Sequence, residues 1–307
     1  MELPTRFVYR SRSRAGDAVK VRREAYLLLA GLGAAAVLAG LSAAAPAPAG
    51  GDATTATAAS LPQPPPGFLP GYLPRTALPN SLALLPPPPA AGSAPMAVDE
   101  AVSQSSQALR DTPRWTLATD DADLSFPHAA SDYSCALQAP ITEQDTPHVY
   151  ALLRRTLADA GLATYAAKNH YKRTRPFVVN GAPPCTPGIA ERLKSDGSYP
   201  SGHSAVGWAW ALILAELAPD RGDAVLARGR AFGQSRVICN VHWQSDVVEG
   251  RFVGSAVVAR LHADPAFVAE MQTAKAELDA VRAKGLKPSR DCPAETAALA
   301  LDPPAAP

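Results

Sequence analysis

His242 and Asp246 stand four residues apart in the run Ser235-Arg236-Val-Ile-Cys-Asn-Val-His242-Trp-Gln-Ser-Asp246. One helical turn would join such a pair, letting the carboxylate accept the imidazole Nδ1–H and leave Nε2 with a free lone pair. That is the orienting half of a catalytic triad, with histidine itself as the nucleophile. Arg236 precedes His242 by six residues, which on one straight helix would point it elsewhere; a break near Asn240 lets both face one site. Standing alone, the segment reads better as a structural His–Asp pair.

Two further segments carry polar groups at spacings that could do chemistry. Gly197-Ser-Tyr-Pro200-Ser201-Gly202-His203 leads straight into an apolar run. Pro200 and Gly202 shape a tight entry, Ser201 can cap the helix, and free amides at a helix N-terminus bind anions. His203, on the first turn, would face that anion, though an ordinary capped helix with a surface histidine explains the segment equally well. Lys168 and Arg175, in Lys168-Asn-His-Tyr-Lys-Arg-Thr-Arg175-Pro176, are seven apart, so two helical turns would put both heads on one face. A solvated basic face is the plainer reading of that segment by itself.

The elements that must hold these groups read as helices. Val149, Leu152, Leu153 and Leu157 recur at helical spacing within Asp145 to Ala160. Leu162 to Thr174 is a second helix, stopped by Arg175-Pro176. Ser204 to Leu217 is apolar on nearly every side, which marks a buried central helix. Asp223 to Ser235, Val247 to His262 and an amphipathic Pro265 to Ala283 follow. No sustained period-two run of β-branched residues occurs, so the fold class is all-α: a single-domain helical bundle spanning residues 96–285. Residues 46–95 are rich in Pro, Ala, Gly and Thr and read as a linker or a wrapping arm. Residues 286–307 show little apolar periodicity and read as a fraying tail apart from Cys292.

Residues 1–45 read as a secretory signal, with arginines up to Arg23, an apolar stretch from Tyr26 to Leu41, and small residues after it. Ala44 and Ala49 are the acceptable cleavage points; the competing reading is an uncleaved anchor over Tyr26 to Ala45. Arg22-Arg23 is weak support for a twin-arginine route. The expected location is therefore periplasmic or secreted. A formal net charge of +1 over 307 residues gives no global field toward nucleic acid or an anionic membrane. The four cysteines, Cys135, Cys185, Cys239 and Cys292, fit no zinc spacing; in an oxidising compartment they suit two disulfides, with three pairings open.

In combination the segments are far more specific. Lys-x6-Arg-Pro, Pro-Ser-Gly-His and Ser-Arg-x5-His-x3-Asp, in that order, resemble the signature of the type 2 phosphatidic-acid phosphatase superfamily, which also includes the vanadium haloperoxidases. Gly197-Ser-Tyr-Pro-Ser-Gly-His, Gly233-Gln-Ser-Arg-Val-Ile-Cys and His242-Trp-Gln-Ser-Asp-Val look like the secreted class A bacterial acid phosphatases. Ala139-Pro-Ile-Thr-Glu143 and Val253-Gly-Ser-Ala-Val-Val-Ala259 agree less specifically, and the similarity runs from about Ser81 to Ala283.

The resemblance implies a metal-independent hydrolase of phosphate monoesters with broad specificity, no cofactor, and inorganic phosphate as product. His242 would attack phosphorus, held by Asp246, and His203 would serve as general acid and then base. Lys168, Arg175, Arg236, Ser201 and Gly202 would bind the phosphoryl oxygens. Every motif position is filled, which counts against an inactive phosphate-binding protein. A haloperoxidase is the enzymatic alternative, and a homo-oligomer is compatible with the sequence. A stable membrane partner is not expected. Because Cys185 and Cys239 both flank this phosphate site, the expected pairs are Cys185–Cys239 and, by elimination, Cys135–Cys292.

Overall fold

Four helices among the described residues begin where a polar cap meets a proline that can occupy the first turn. Thr112 accepts from the Trp115 amide ahead of Pro113, and Asp264 accepts from the Phe267 amide at 2.9 Å ahead of Pro265. The computed structural model describes residues 69–288 and 290–302. The targeting segment and the start of the proline arm lie outside the described residues. In chain order the helices are α1 (Ser81–Leu84), α2 (Ala94–Ser106), α3 (Pro113–Asp120), α4 (Ser134–Leu137), α5 (Pro147–Ala163), α6 (Tyr165–Tyr171) and α7 (Pro176–Asn180). They continue with α8 (Ala190–Lys194), α9 (Gly202–Leu217), α10 (Gly222–Ile238), α11 (Gln244–Leu261), α12 (Pro265–Ala283) and α13 (Cys292–Leu299). Among the described residues there is no strand, and the fold is all-α. None of the described helices is long and apolar enough to cross a membrane.

The bundle is organised around α9, whose Ala205, Val206, Ala209, Trp210, Ile213 and Leu214 are buried between α5, α10 and α11. Glycines bring the axes close. A Cβ at Gly207 would lie 2.3 Å from the Phe232 ring, and one at Gly250 only 2.5 Å from the Ser201 carbonyl. The indole of Trp210 donates to the Leu153 carbonyl at 2.9 Å, and the Tyr133 hydroxyl to the Gly207 carbonyl at 2.6 Å. Both rings therefore bury their polar handle without loss, and truncating Trp210 to alanine would cost about 3–5 kcal/mol. The tight α9–α11 contact also fixes the start of α9: the Ser201 amide donates to the Asp246 carbonyl at 2.9 Å.

The second half of the proline arm wraps the bundle. Amides of Tyr72 and Leu73 donate to the Asp159 carboxylate on α5 at 2.9 and 3.0 Å, and the Arg155 guanidinium covers the Tyr72 ring. Further along, the Ser81 hydroxyl accepts from the Ala167 amide, and the Tyr199 hydroxyl donates to the Pro86 carbonyl.

Four expectations need correction. Helix α6 ends at Tyr171, with Lys172 in the left-handed region at φ 44°, so Lys168 and Arg175 share no helix. Arg175 is instead the cap residue of α7. His242 lies before α11, not on it, because Asp246 turns back to accept from the Trp243 amide at 2.9 Å and starts the helix there. Among the described residues regular helix begins at Ser81 and not near Met96. Nor do residues 290–302 of the tail lack structure: Asp291 caps α13, and Arg290, Glu295 and Asp302 reach charged partners on the bundle. The break near Asn240 is present, with φ 60°. The cysteines pair as Cys185–Cys239 and Cys135–Cys292, closing separations of 54 and 157 residues.

Candidate active site

Three chain breaks, not one helix face, bring the basic residues together. Lys168 comes from the last turn of α6, Arg175 from the cap of α7, and Arg236 from the last turn of α10. Their side chains are only 4%, 3% and 2% exposed, and His242 and Asp246 only 3% and 0%. Burial lowers the Lys168 ammonium to about 8 and, with Arg175 nearby, the Arg236 guanidinium to about 9. Buried cations so close together need an anion.

Part of that anion is supplied by Asp196, which no motif flagged. Its Oδ2 accepts from Arg175 Nη2 at 3.0 Å and lies 3.7 Å from Lys168 Nζ. Lys168 also donates to the Gly197 carbonyl at 2.6 Å. Arg236 has no such compensation: its Nε and Nη1 are buried without a hydrogen-bond partner. Asp246 and Asp121, the other carboxylates close by, are already matched to Arg173 and Arg228. Of the nearby carboxylates only Asp196 pairs directly with Lys168 and Arg175, and none pairs directly with Arg236, which leaves positive charge for an incoming anion.

The histidines sit against these cations. His242 donates from Nδ1 to Asp246 Oδ2 at 3.3 Å, and its Nε2 accepts from Arg175 Nη1 at 3.1 Å. A guanidinium has no lone pair to offer, so Nε2 must be the unprotonated nitrogen. Burial, with Arg175, Lys168 and Arg236 adding to it, holds the His242 pKa well below the usual histidine range. An imidazole unprotonated at Nε2 with a carboxylate behind Nδ1 can act as a nucleophile at acid pH once Arg175 turns aside.

His203 is half-buried on the first turn of α9, and its Nε2–H donates to the Ala122 carbonyl at 3.1 Å. Burial and then Arg236 push its pKa well below the usual range, while the Ala122 carbonyl works the other way. The amides of Gly202 and His203 lie in the first turn, where no carbonyl of the helix can reach them. A Cβ at Gly202 would meet nothing nearer than Thr164 Oγ1 at 3.7 Å and Lys168 Cε at 3.9 Å. Its neighbours would tolerate a side chain; an anion approaching the amide would not. Ser201 caps the helix as its position suggested, its hydroxyl accepting from the Ser204 amide and hydroxyl.

Arg173 is the residue that motif reading passed over. It donates from Nη1 to Asp246 Oδ1 at 2.6 Å and from Nη2 to Asp99 Oδ2 at 2.7 Å, while Ser245 donates to Asp99 from both amide and hydroxyl. Burial pushes the Asp246 carboxyl up, against Arg173 and the Trp243 amide. The signal was present two residues before Arg175, but Asp99 is too distant in sequence to pair with it on paper. Among the described residues, the one acid–histidine group with metal-ligand spacing is Asp120, His128 and Asp132, and Arg290 bridges its two carboxylates.

Residues 149–267 match the PAP2 superfamily. A non-specific acid phosphatase of Providencia stuartii is 47% identical over 207 residues, covering 67% of this chain and 84% of that one. An acid phosphatase of Zymomonas mobilis is 42% identical over 209 residues, 68% and 79% of the two chains. A non-specific acid phosphatase of Salmonella typhimurium is 42% identical over 201 residues, 65% and 80%. With three buried cations gathered around His242 and with Arg236 beside His203 at the α9 N-terminus, these likenesses agree in one conclusion: the chain belongs to the PAP2 superfamily and, within it, to the class A non-specific acid phosphatases.

Proposed function

We propose that the protein is an exported acid phosphatase that hydrolyses phosphate monoesters without a metal, through a phosphohistidine at His242. The observation that carries the reading is the Arg236 guanidinium, buried and unpaired at Nε and Nη1 beside two histidines and two further cations. An oxyanion would satisfy both its donors and its charge, and a phosphoryl group also presents an electrophile to His242.

In the first half-reaction the His242 Nε2 lone pair forms the N–P bond as the ester P–O bond breaks. His203 passes a proton from Nδ1 to the departing oxygen, since Nε2–H is committed to Ala122. In the second, His203 takes a proton from water, whose oxygen attacks phosphorus, and the N–P pair returns to Nε2. Lys168, Arg175, Arg236 and the Gly202 and His203 amides hold the equatorial oxygens, where charge accumulates in the transition state. Nothing in this set selects the alcohol, which supports broad specificity. Export is supported by the signal-like residues 1–45 and by two disulfides, which persist in oxidising compartments.

Rapid quench with labelled phosphoester tests the mechanism. The expected product is an acid-labile, base-stable adduct on His242, formed equally after exhaustive chelation. Phosphate on a serine or aspartate, or a strict need for an added divalent ion, would overturn it.

A further inference from the structure

The general acid is held from outside the catalytic segments. His203 is fixed by the Ala122 carbonyl, and Ala122 belongs to the turn after α3. That turn opens with two carboxylates. Asp121, fully buried, accepts from Arg228 Nη2 at 2.5 Å and Nη1 at 3.3 Å, and from the Ser235 hydroxyl at 2.5 Å. Asp120 pairs with Arg290, which also donates to buried Asp132 at 2.7 Å.

The partners that complete this network come from the C-terminal segment. Glu295 lies 3.6 Å from Arg228 Nε and 3.7 Å from Arg290 Nε. Asp302 accepts from Arg114 Nε on α3 at 2.6 Å, and Arg114 Nη1 donates onward to Ser235. Cys292 is bonded to Cys135, so the segment cannot drift away. The segment itself, Arg290–Asp302, lies beyond residues 149–267, which carry the superfamily match.

We infer that the segment Arg290–Asp302 is a positioning element for His203, setting the Ala122 carbonyl through Arg290, Glu295 and Asp302. This rests on the phosphatase reading above. Without Arg290, the Asp120 and Asp132 carboxylates lose the cation between them and repel, and the turn carrying Ala122 resets. His203 then keeps its place in sequence but loses the acceptor that aims Nδ1. General acid catalysis matters most when the leaving oxygen is a poor leaving group, so the damage should depend on the alcohol. A residue with a merely structural role would slow every substrate alike.

The experiment compares kcat/KM of the full-length wild-type protein and Arg290→Ala over a series running from p-nitrophenyl phosphate to alkyl phosphates, with phosphate inhibition measured alongside. Alkyl phosphates should fall about ten-fold or more and p-nitrophenyl phosphate less than about two-fold, with inhibition by phosphate unchanged. Arg290→Lys should recover much of the loss. Should Arg290→Ala not fold, Asp302→Asn, which removes only the tie to Arg114, is read the same way. A uniform fall, or none, overturns the inference while leaving the phosphatase reading intact. Wild-type protein inactive on the whole series would sink that reading first.

Discussion

Arg175 donates from Nη1 to Nε2 of His242 at 3.1 Å, so the lone pair proposed to attack phosphorus is capped by the cation proposed to hold the substrate. A phosphate oxygen that draws Arg175 toward itself uncovers Nε2 in the same movement. The free enzyme should therefore show His242 protonated at Nδ1 alone by nitrogen-detected NMR. Arg175→Lys keeps the charge but not the planar fork, and kcat/KM should fall about 10²-fold or more. A protonated Nε2 in the free enzyme at neutral pH would contradict this arrangement.

The pH profile should be bell-shaped on the acid side of neutrality. His242 must be neutral to attack, and burial with three nearby cations keeps it so well into acid. His203 must carry a proton, yet burial and Arg236 lower its pKa in the free enzyme. A bound phosphate dianion opposes that lowering, so the basic limb of kcat should lie at higher pH than the basic limb of kcat/KM. Coincident limbs would show that substrate charge does not reach His203.

Arg173 makes an acid optimum tolerable for Asp246. Burial raises that carboxyl and Arg173 is the first influence holding it down; Lys168 acts in the same direction, and Arg175, Tyr199 and His242 also face it. Arg173→Gln should let Asp246 take up a proton at a higher pH and so fail to orient His242. The acid limb should move toward neutrality, with kcat partly restored as pH rises. A uniform loss at every pH would assign Arg173 to packing alone.

Asp196 competes with the substrate for Lys168 and Arg175. Asp196→Asn should tighten inhibition by inorganic phosphate about three- to ten-fold, since one carboxylate no longer offsets those cations. The Lys168 ammonium loses a partner that raises its pKa, so the tightening should fade on the alkaline side. Weaker phosphate binding would mean that Asp196 orients the cations more than it neutralises them.

Gly250→Ala tests the helix contact that sets the anion site. Its Cβ would lie 2.5 Å from the Ser201 carbonyl and 2.9 Å from Ser204 Cβ. Thermal unfolding should show a loss of about 1–3 kcal/mol, accompanied by weaker phosphate inhibition as the α9 N-terminus is pushed off. Unchanged stability would show that α11 can slide.

The helices and the candidate site were legible because each is encoded locally. Apolar spacing marks α5 and α9, and the fixed intervals around His203, Arg236, His242 and Asp246 mark one site. The left-handed break at Asn240 could be anticipated from the need for Arg236 and His242 to meet. What could not be read was long-range pairing. Arg173 finds Asp99 across 74 residues, and Arg114 finds Asp302 across 188. The tail looked structureless because its stability comes from three charges and a cysteine, none of which leaves an apolar period. Lys168 and Arg175 converge for a reason opposite to the one their spacing suggested, since the helix ends between them.

The arm between Leu69 and Pro86 has the composition of a spacer, yet Asp159 holds its amides and Pro86 receives the hydroxyl of Tyr199, two residues before Ser201. As a portable module, then, the catalytic unit starts at or before Leu69, well upstream of the first long helix. A fusion partner joined at Met96 would strip Tyr199 of its acceptor and uncover the α5 surface beneath Tyr72. Joined ahead of Leu69, the same partner would leave these contacts in place.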